Sequence, residues 1–268
     1  MPELPEVETV ARELRVLILG KTIQDIEAVW YKSFDNQSSI PISGQVIKKV
    51  GRKGKYLSLQ LTRSALVIHL RMTGQLLYST HFDYDNTHIR AKIRFNDTTE
   101  LLFKDTRKFG RIYHVNDAGD ILYKIGMDAI DPTLDVDLFK SLVKKSSVNI
   151  KSFLLAQNKI AGVGNIYADE SLHRAGIHPA SLSNKIPDVK LRNLHTHLLD
   201  ILHTAIENMG STISDYRDSY GNVGNNQRFF RVYQRTGEAC LNCSMPISKV
   251  RIAGRGTHFC VKCQKVYN

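Results

Sequence analysis

Long apolar runs are missing from this sequence of 268 residues, and their absence excludes one class of protein. No window approaches the ~18 uninterrupted apolar residues that a membrane-spanning helix needs. The first residues follow a charged helical pattern, where a secretory signal peptide would have an apolar segment. We therefore predict no membrane association and a cytoplasmic location.

Cysteine is scarce: all four lie near the C-terminus as two Cys-x-x-Cys pairs, Cys240 with Cys243 and Cys260 with Cys263. No cysteine remains for a disulfide framework, which favours a reducing compartment and a metal site. The spacing, with 16 residues between the pairs, is typical of four-thiolate zinc sites. Four protein ligands leave no open position for water, so we predict one structural Zn²⁺ ion.

Acidic residues are few in the second half of the chain. Residues 139–268 hold 18 Lys and Arg against 8 Asp and Glu, whereas residues 1–138 hold 19 against 18. Positive charge concentrated in one half favours a polyanionic partner, most simply nucleic acid. Many basic proteins bind nothing specific, so charge alone leaves both interpretations open.

Proline is also infrequent, yet two of the seven prolines lie in the opening stretch Met1-Pro2-Glu3-Leu4-Pro5-Glu6-Val7-Glu8. If Met1 is removed, Pro2 carries a terminal secondary amine, and an α-amine titrates at ~8. Such an amine beside positioned carboxylates can attack an electrophilic sugar carbon and form a Schiff base. The ordinary interpretation is that the prolines open a helix whose positive end attracts the Glu side chains. These eight residues alone favour the ordinary interpretation.

The periodicity of the sequence predicts an α+β protein with three parts. Apolar residues at helical spacing predict a helix from Leu4 to Ile18, and short β-branched runs between Ile23 and Val115 predict an antiparallel sandwich or flattened barrel. Residues 116–138 connect this part to a helical one. The last part is too short to form its own core and needs a bound metal as a cross-link. We place the domains at residues 1–130, 131–236 and 237–268.

Two motifs in the basic half are suited to phosphate. Gly162 and Gly164 precede a predicted helix start at Asn165, where free backbone N–H groups bind anions. With the helix predicted before it, at Val148–Asn158, this segment forms a helix–turn–helix element. Arg255 lies between two glycines at a predicted hairpin tip, where a solvated arginine is the ordinary alternative to a phosphate or base contact.

Two motifs in the first half have weaker signals. Arg107 and Phe109 share a loop that, with Met72, can insert into a base stack, although core packing of Met72 and Phe109 is the commoner outcome. Lys55 lies in a basic turn before Tyr56. A solvated hairpin is the usual explanation, but this lysine can also hold a phosphate or compete with Pro2 as a Schiff-base nucleophile.

Together these motifs resemble bacterial formamidopyrimidine-DNA glycosylases, from residue 2 to about 265. The resemblance is carried by the Pro2–Glu8 stretch, Arg107-Lys108-Phe109-Gly110, the run Gly162–Glu170 and the four-cysteine segment. It implies an N-terminal antiparallel β-sandwich with a leading helix, then a helix–two-turns–helix domain with a β-hairpin zinc finger. It also implies a monomer that acts on double-stranded DNA containing oxidised bases or abasic sites.

The resemblance assigns roles to residues. Pro2 is the nucleophile at C1′ of the flipped nucleotide, Glu3 the general acid and base, and Glu6 a supporting carboxylate; Lys55 lies near the lesion backbone. A second set contacts DNA: Met72, Arg107 and Phe109 fill the gap and touch the opposite cytosine, whereas Asn165 and Arg255 contact phosphates. The implied activity removes oxidised purines and then cuts the strand by β- and δ-elimination.

The chain departs from the family pattern at Thr106, at Ala156 and in the loop Ser214–Gly224, where Tyr220 replaces a common acidic residue. These departures leave the lesion preference open. One alternative is an endonuclease VIII-type enzyme for oxidised pyrimidines, against which Leu4 argues. Another is a non-catalytic damaged-DNA-binding protein, against which the trio Pro2, Glu3 and Lys55 argues. A zinc hydrolase is disfavoured by the closed cysteine site.

Overall fold

The computed structural model describes residues 2–80 and 87–268, and these residues form two compact units. The first unit comprises the described residues within Met1–Lys124 together with Asn208–Asn225. The second comprises Ile125–Glu207 and Asn226–Asn268. The segment 208–225 therefore interrupts the second unit in sequence and packs with the first.

The first unit is a β-sandwich with a leading helix, as predicted. Its elements are α1 (Leu4–Leu17), β1 (Ile23–Glu27), β2 (Phe34–Asn36), β3 (Ile47–Lys53), β4 (Tyr56–Leu61), β5 (Ala65–His69), β6 (Gln75–Ser79), β7 (Ile89–Phe95), β8 (Glu100–Lys104), β9 (Arg111–Val115) and α2 (Gly119–Leu122). The strands form two sheets, β1-β7-β8-β6 and β2-β9-β5-β4-β3. Their pairings are antiparallel except for the edge pair of β2 with β9. Both sheets contribute to one apolar core.

Helix α1 fixes the amino terminus against that core. Its buried residues recur at helical spacing and include Val7, Val10, Ala11 and Leu14, all with no exposed surface. A fully buried Val or Leu side chain contributes ~1.5–3 kcal/mol relative to an exposed one. The residues that precede and open this helix are therefore held in a fixed position.

The second unit is mainly helical. Its elements are β10 (Met127–Asp128), α3 (Val136–Lys144), α4 (Ile150–Leu155), β11 (Ile160–Ala161), α5 (Asn165–Ala175), α6 (Asp188–Glu207), β12 (Ser248–Ile252) and β13 (Arg255–Phe259). Helix α5 packs against α4, α6 and β13. Short strands β10 and β11 pair in parallel. In the described part of the chain, no helix is both long and apolar enough to cross a membrane.

Candidate functional site

Two buried carboxylates lie at the start of α1, next to Pro2. Pro2 itself is buried, and Glu3 and Glu6 expose only 2% and 1% of their surfaces. Glu6 Oε2 accepts a hydrogen bond from the Glu3 backbone N–H at 2.8 Å, and Oε1 accepts one from the Ser211 N–H at 2.7 Å. The Glu6 carboxylate therefore connects Glu3 to Ser211, which lies 205 positions after Glu6 in the sequence.

Gly210 makes this close approach possible. Its φ is +74°, in the left-handed region, and a Cβ at this position would lie 2.8 Å from Glu6 Cγ and 2.9 Å from Oε1. Such distances force either the carboxylate or the 210–211 backbone to move. The sequence shows Gly210 only as the end of a helix, so its contact with Glu6 was not predicted.

We expect Gly210→Ala to destabilise the protein by about 2–4 kcal/mol, combining left-handed strain of ~1 kcal/mol with overpacking of ~1–3 kcal/mol. Denaturant unfolding measures the change. Gly221→Ala is the matched control, because Gly221 also has a positive φ, +89°, but has nothing within 4 Å of the added Cβ. Equal effects of the two substitutions would contradict the role given to the Glu6 contact.

Lys55 lies in the turn between β3 and β4, and only 7% of it is exposed. Arg52 Nε donates to Glu8 Oε2 at 2.8 Å, and Arg52 Nη1 donates to the Gly54 carbonyl at 2.9 Å. Burial would raise the pKa of Glu8, but hydrogen bonds and charge from arginines, Arg52 first, outweigh burial and lower it. Helix α1, which carries Glu6, therefore also braces the turn that presents Lys55.

The positive charge of Lys55 also reaches His69 on the neighbouring strand. Burial lowers the pKa of His69 to about 3, and the charges of Arg71 and Lys55 add to this shift. His69 is therefore neutral at physiological pH, and its Nδ1 accepts a hydrogen bond from the Arg71 N–H at 2.9 Å. The His69 imidazole therefore adds no charge to the surroundings of Lys55.

Asp105 joins the Met72 loop to the Arg107–Phe109 loop. Its carboxylate accepts hydrogen bonds from the Thr73 hydroxyl, from the Arg107 N–H at 3.2 Å and from the Gly110 N–H at 2.8 Å. Met72 is half-buried, and Phe109 is 49% exposed with the Arg107 guanidinium 4.9 Å from its ring centroid. The structure thus brings the Arg107 and Phe109 side chains into contact and ties their loop to Thr73, the residue after Met72. Asp105 holds the arrangement, and its role was not predicted.

In the second unit, Asn165 and Arg255 come close through the hairpin. Asn165 is the first residue of α5, and its Nδ2 donates to the Gly256 carbonyl at 2.9 Å. The turn residues Ala253 and Gly254 both have positive φ, as type I′ hairpins require. Arg255 is therefore not at the tip but one position later, exposed, as the first residue of β13 and paired with Ile252.

A buried ion pair between α4 and α5 supports this hairpin. Lys151 Nζ lies 2.6 Å from Asp169 Oδ1, and neither side chain has any exposed surface. Lys151 Nζ also donates to the Thr257 hydroxyl at 2.7 Å, while Asp169 Oδ2 accepts from the His258 N–H at 2.8 Å. The pair thus fixes β13, and with it Arg255, to α4 and α5. Sequence reasoning missed it.

Glu170, the next residue of α5, orders the segment that leads to the cysteines. Its carboxylate accepts hydrogen bonds from the successive N–H groups of Arg231, Val232 and Tyr233, at 2.8–3.0 Å. Burial raises the pKa of Glu170 even though these three donors lower it. Helix α5 therefore holds both the hairpin and the chain that enters the zinc finger.

The four cysteine sulfurs fit one tetrahedral zinc ion. They lie within 4.8 Å of one another, with Cys240 to Cys263 at 3.9 Å and Cys243 to Cys260 at 3.4 Å. Zn–S bonds of ~2.3 Å in a tetrahedron place sulfurs ~3.8 Å apart. The predicted structural zinc site is therefore compatible with the positions of all four ligands.

A pair of carboxyl groups anchors the loop 214–224. Asp218 accepts hydrogen bonds from the Tyr220 N–H at 3.0 Å and the Asn222 N–H at 2.7 Å, and Glu13 accepts one from the Ser219 N–H at 2.7 Å. Burial raises the pKa of Glu13 to about 7, opposed by the Ser219 N–H and reinforced by the charge of Asp218. The turn holds Tyr220 with 57% of its surface exposed.

This pair predicts a pH-sensitive loop. Because the folded-state pKa of Glu13 is about 7 against 4.5 for the free group, the folded chain holds the extra proton between these values. The stability that protonated Glu13 contributes to the folded chain is complete below pH 4.5 and is lost as the pH rises through 7. We expect hydrogen-exchange protection of residues 214–224, corrected for intrinsic rates, to fall between pH 5.5 and 8. Glu13→Gln should remove this dependence; an unchanged pH slope would refute it.

Comparisons with known proteins agree along the whole chain. Three family models match: Formamidopyrimidine-DNA glycosylase N-terminal domain over residues 1–112, Formamidopyrimidine-DNA glycosylase H2TH domain over 125–217, and Zinc finger found in FPG and IleRS over 237–266. A formamidopyrimidine-DNA glycosylase of Streptococcus pneumoniae is 40% identical over 99% of both chains.

Solved structures of the Lactococcus lactis enzyme are similar to this fold. One, in complex with DNA containing N7-benzyl-Fapy-dG, is 37% identical with a TM-score of 0.90, covering 98% of this chain and 100% of that one. Another, bound to DNA with an abasic site, is 35% identical with a TM-score of 0.88, covering 98% and 99%. The chain therefore belongs to the formamidopyrimidine-DNA glycosylase family.

Proposed function

We propose that this protein is a bifunctional DNA glycosylase and abasic-site lyase of base excision repair, with oxidised purines in double-stranded DNA as its substrates. The observation that carries the proposal is the amino terminus: Pro2 is buried beside Glu3 and Glu6, and Glu6 is fixed by two backbone N–H groups. A pure binding protein has no need of such a terminus. The Lactococcus lactis relative, crystallised with DNA containing N7-benzyl-Fapy-dG and with DNA containing an abasic site, supports the substrate class.

The first chemical step is displacement of the base. The Pro2 nitrogen attacks C1′ of the flipped nucleotide and forms an N–C bond, while the bond from C1′ to the base breaks and the base takes up a proton. The attached nitrogen loses its N–H proton, and the sugar ring opens as the C1′–O4′ bond breaks and O4′ takes up a proton, which gives an iminium ion at C1′. Glu3, buried beside Pro2, is the group that we assign to moving these protons.

The second step breaks the strand. The iminium ion withdraws electrons and acidifies the protons on C2′, so a base removes one of them and the 3′ phosphate leaves by β-elimination. A further elimination, with loss of a proton from C4′, releases the 5′ phosphate, and water then hydrolyses the iminium ion to regenerate Pro2. We assign Glu6 to supporting the terminus and Lys55 to the lesion-side phosphate.

The remaining site residues bind DNA in this proposal. Met72, Arg107 and Phe109 fill the space left by the flipped nucleotide, and Arg107 and Phe109 face the opposite base. Asn165 and Arg255 contact phosphates. Zinc, bound by Cys240, Cys243, Cys260 and Cys263, supplies a structural cross-link for the hairpin that carries Arg255. We further propose a cytoplasmic protein with domains at residues 1–130, 131–236 and 237–268; a monomer fits this assignment.

The lesion class is tested by trapping the Schiff base with borohydride. Duplexes carrying 8-oxoguanine, a formamidopyrimidine or thymine glycol are incubated with the protein, and the covalent adducts are quantified and mapped. We expect adducts at Pro2 with both purine lesions, at least tenfold faster than with thymine glycol. Faster trapping with thymine glycol would support the endonuclease VIII-type alternative. Tight binding without any adduct would leave only the non-catalytic alternative.

A further inference from the structure

His173 lies against the zinc site although it is far from the cysteines in sequence. It belongs to α5, exposes 1% of its surface, and places Nε2 3.5 Å from Cys240 Sγ. Its other ring nitrogen, Nδ1, is buried and has no hydrogen-bond partner among the described residues. The matched zinc-finger segment begins at residue 237, so this histidine lies outside it.

The chemistry of the sulfur decides which nitrogen carries the proton. A cysteine that binds zinc does so as a thiolate, which has no proton and only accepts hydrogen bonds. The nitrogen beside it, Nε2, must therefore be the donor. A neutral imidazole has a single N–H, so Nδ1 then presents only a lone pair. An unpaired lone pair is consistent with the absence of an acceptor around Nδ1 in the described chain.

We propose that His173 supports the zinc site without binding the metal, by donating a hydrogen bond from Nε2–H to the Cys240 thiolate. Four thiolates around Zn²⁺ carry a net charge of −2, and a donor to one sulfur withdraws part of that charge. It thereby favours the thiolate over the protonated thiol and orients Cys240 for the metal. Loss of a hydrogen-bond partner of a metal ligand typically weakens metal affinity by ~10–100-fold.

The position of His173 also links the metal to the DNA-contacting residues of the second unit. Helix α5 begins at Asn165, which binds the Gly256 carbonyl, and carries Asp169, which accepts from the His258 N–H. His173 lies one turn further along the same helix. One rigid helix therefore contacts the hairpin near its start and a zinc ligand near its end, so loss of zinc releases a contact of α5 itself. This inference does not depend on the proposed reaction.

The test is the zinc affinity of His173→Phe in the full-length protein, measured by competition with a chromogenic chelator. Phenylalanine keeps the aromatic volume and removes the donor. We expect zinc to bind 10–100-fold more weakly than in the wild type. In the Co²⁺-substituted protein, the sulfur-to-cobalt charge-transfer band should move to longer wavelength, because a sulfur without its donor gives up electrons more easily. Unchanged affinity and band position would overturn the proposal.

His178→Phe is the matched control. The ring of His178 packs edge-on against Phe259 with centroids 4.5 Å apart, so it touches the same hairpin without a sulfur contact. We expect its zinc affinity to stay within twofold of the wild type. A loss as large as that of His173→Phe would show a general packing effect and refute the specific donor role.

A measurement on the wild-type protein keeps the test valid if His173→Phe fails to fold. In the ¹¹³Cd-substituted protein, ¹⁵N chemical shifts report which imidazole nitrogen carries the proton. The proposal requires the His173 ring to be neutral and protonated at Nε2, with a slowly exchanging N–H. Protonation at Nδ1 would overturn it.

Discussion

A chain that keeps an uncleaved residue ahead of Pro2, such as Met1, will bind damaged DNA but form no covalent adduct with it. The extra peptide bond converts the Pro2 amine into an amide, whose nitrogen lone pair is delocalised and not nucleophilic. We expect borohydride trapping to disappear and base release to slow by on the order of 10³-fold or more, as when an enzyme loses its covalent nucleophile. The same reasoning requires that Met1, which lies outside the described residues, be removed from the active protein.

Two controls make this result specific. Affinity for a duplex with a non-cleavable abasic analogue should remain within a few-fold, because the extension changes no DNA-contacting side chain. Lys55→Ala should still give the adduct at Pro2, since the lysine is assigned to a phosphate. An adduct that persists in the extended chain and vanishes in Lys55→Ala would transfer the nucleophile to Lys55.

Lys151→Met will destabilise the second unit by about 3–5 kcal/mol, the typical cost of removing one member of a buried ion pair. The substitution leaves the Asp169 carboxylate, which has no exposed surface, without its cation. Weaker DNA binding should follow, because the same lysine holds Thr257 in β13, two positions from Arg255. Denaturant unfolding and binding titrations measure the two effects.

Lys140→Met is the matched control for charge removal. Lys140 pairs with Asp137 at 3.0 Å and Asp188 at 3.5 Å, but those partners are 78% and 63% exposed. Water replaces such a pair at little cost, so we expect the free energy of unfolding to stay within the error of the measurement. A Lys151→Met protein that unfolds as easily as Lys140→Met would show that the contacts of Asp169 with the His258 N–H and ring nitrogen stabilise the carboxylate adequately without the lysine.

The sequence predicted those features that depend on local patterns. The apolar spacing of α1 and the Cys-x-x-Cys pairs each require only a few neighbouring residues, and both are confirmed. Helix α4 is shorter than predicted, ending at Leu155, because Ala156 adopts an extended conformation with ψ of 104°. Arg255 is displaced by one position from the hairpin tip, because turn geometry is set by Ala253 and Gly254.

The contacts that hold the site together were beyond local reasoning. Glu6 meets Ser211, and Lys151 meets Thr257, across 205 and 106 positions of sequence. Such pairs are created by the packing of distant elements, and single residues carry no spacing signal for them. Asp105 accepts two hydrogen bonds from its own loop, at Arg107 and Gly110, but the third, from the Thr73 hydroxyl 32 positions away, depends on how the neighbouring loop folds. The catalytic and DNA-binding roles themselves stay predictions.

The segment 208–225 limits how this protein can be divided or recombined. It packs in the first unit, although residues of the second unit lie on both sides of it in sequence. A fragment that ends at Lys124 lacks Ser211, an N–H donor to Glu6, and Tyr216, a member of the core. Neither unit is a contiguous gene segment, so neither can be exchanged by a single crossover. Substitutions at the amino terminus and in the segment 208–225 must therefore be compatible with each other, although 205 positions of sequence separate Glu6 from Ser211.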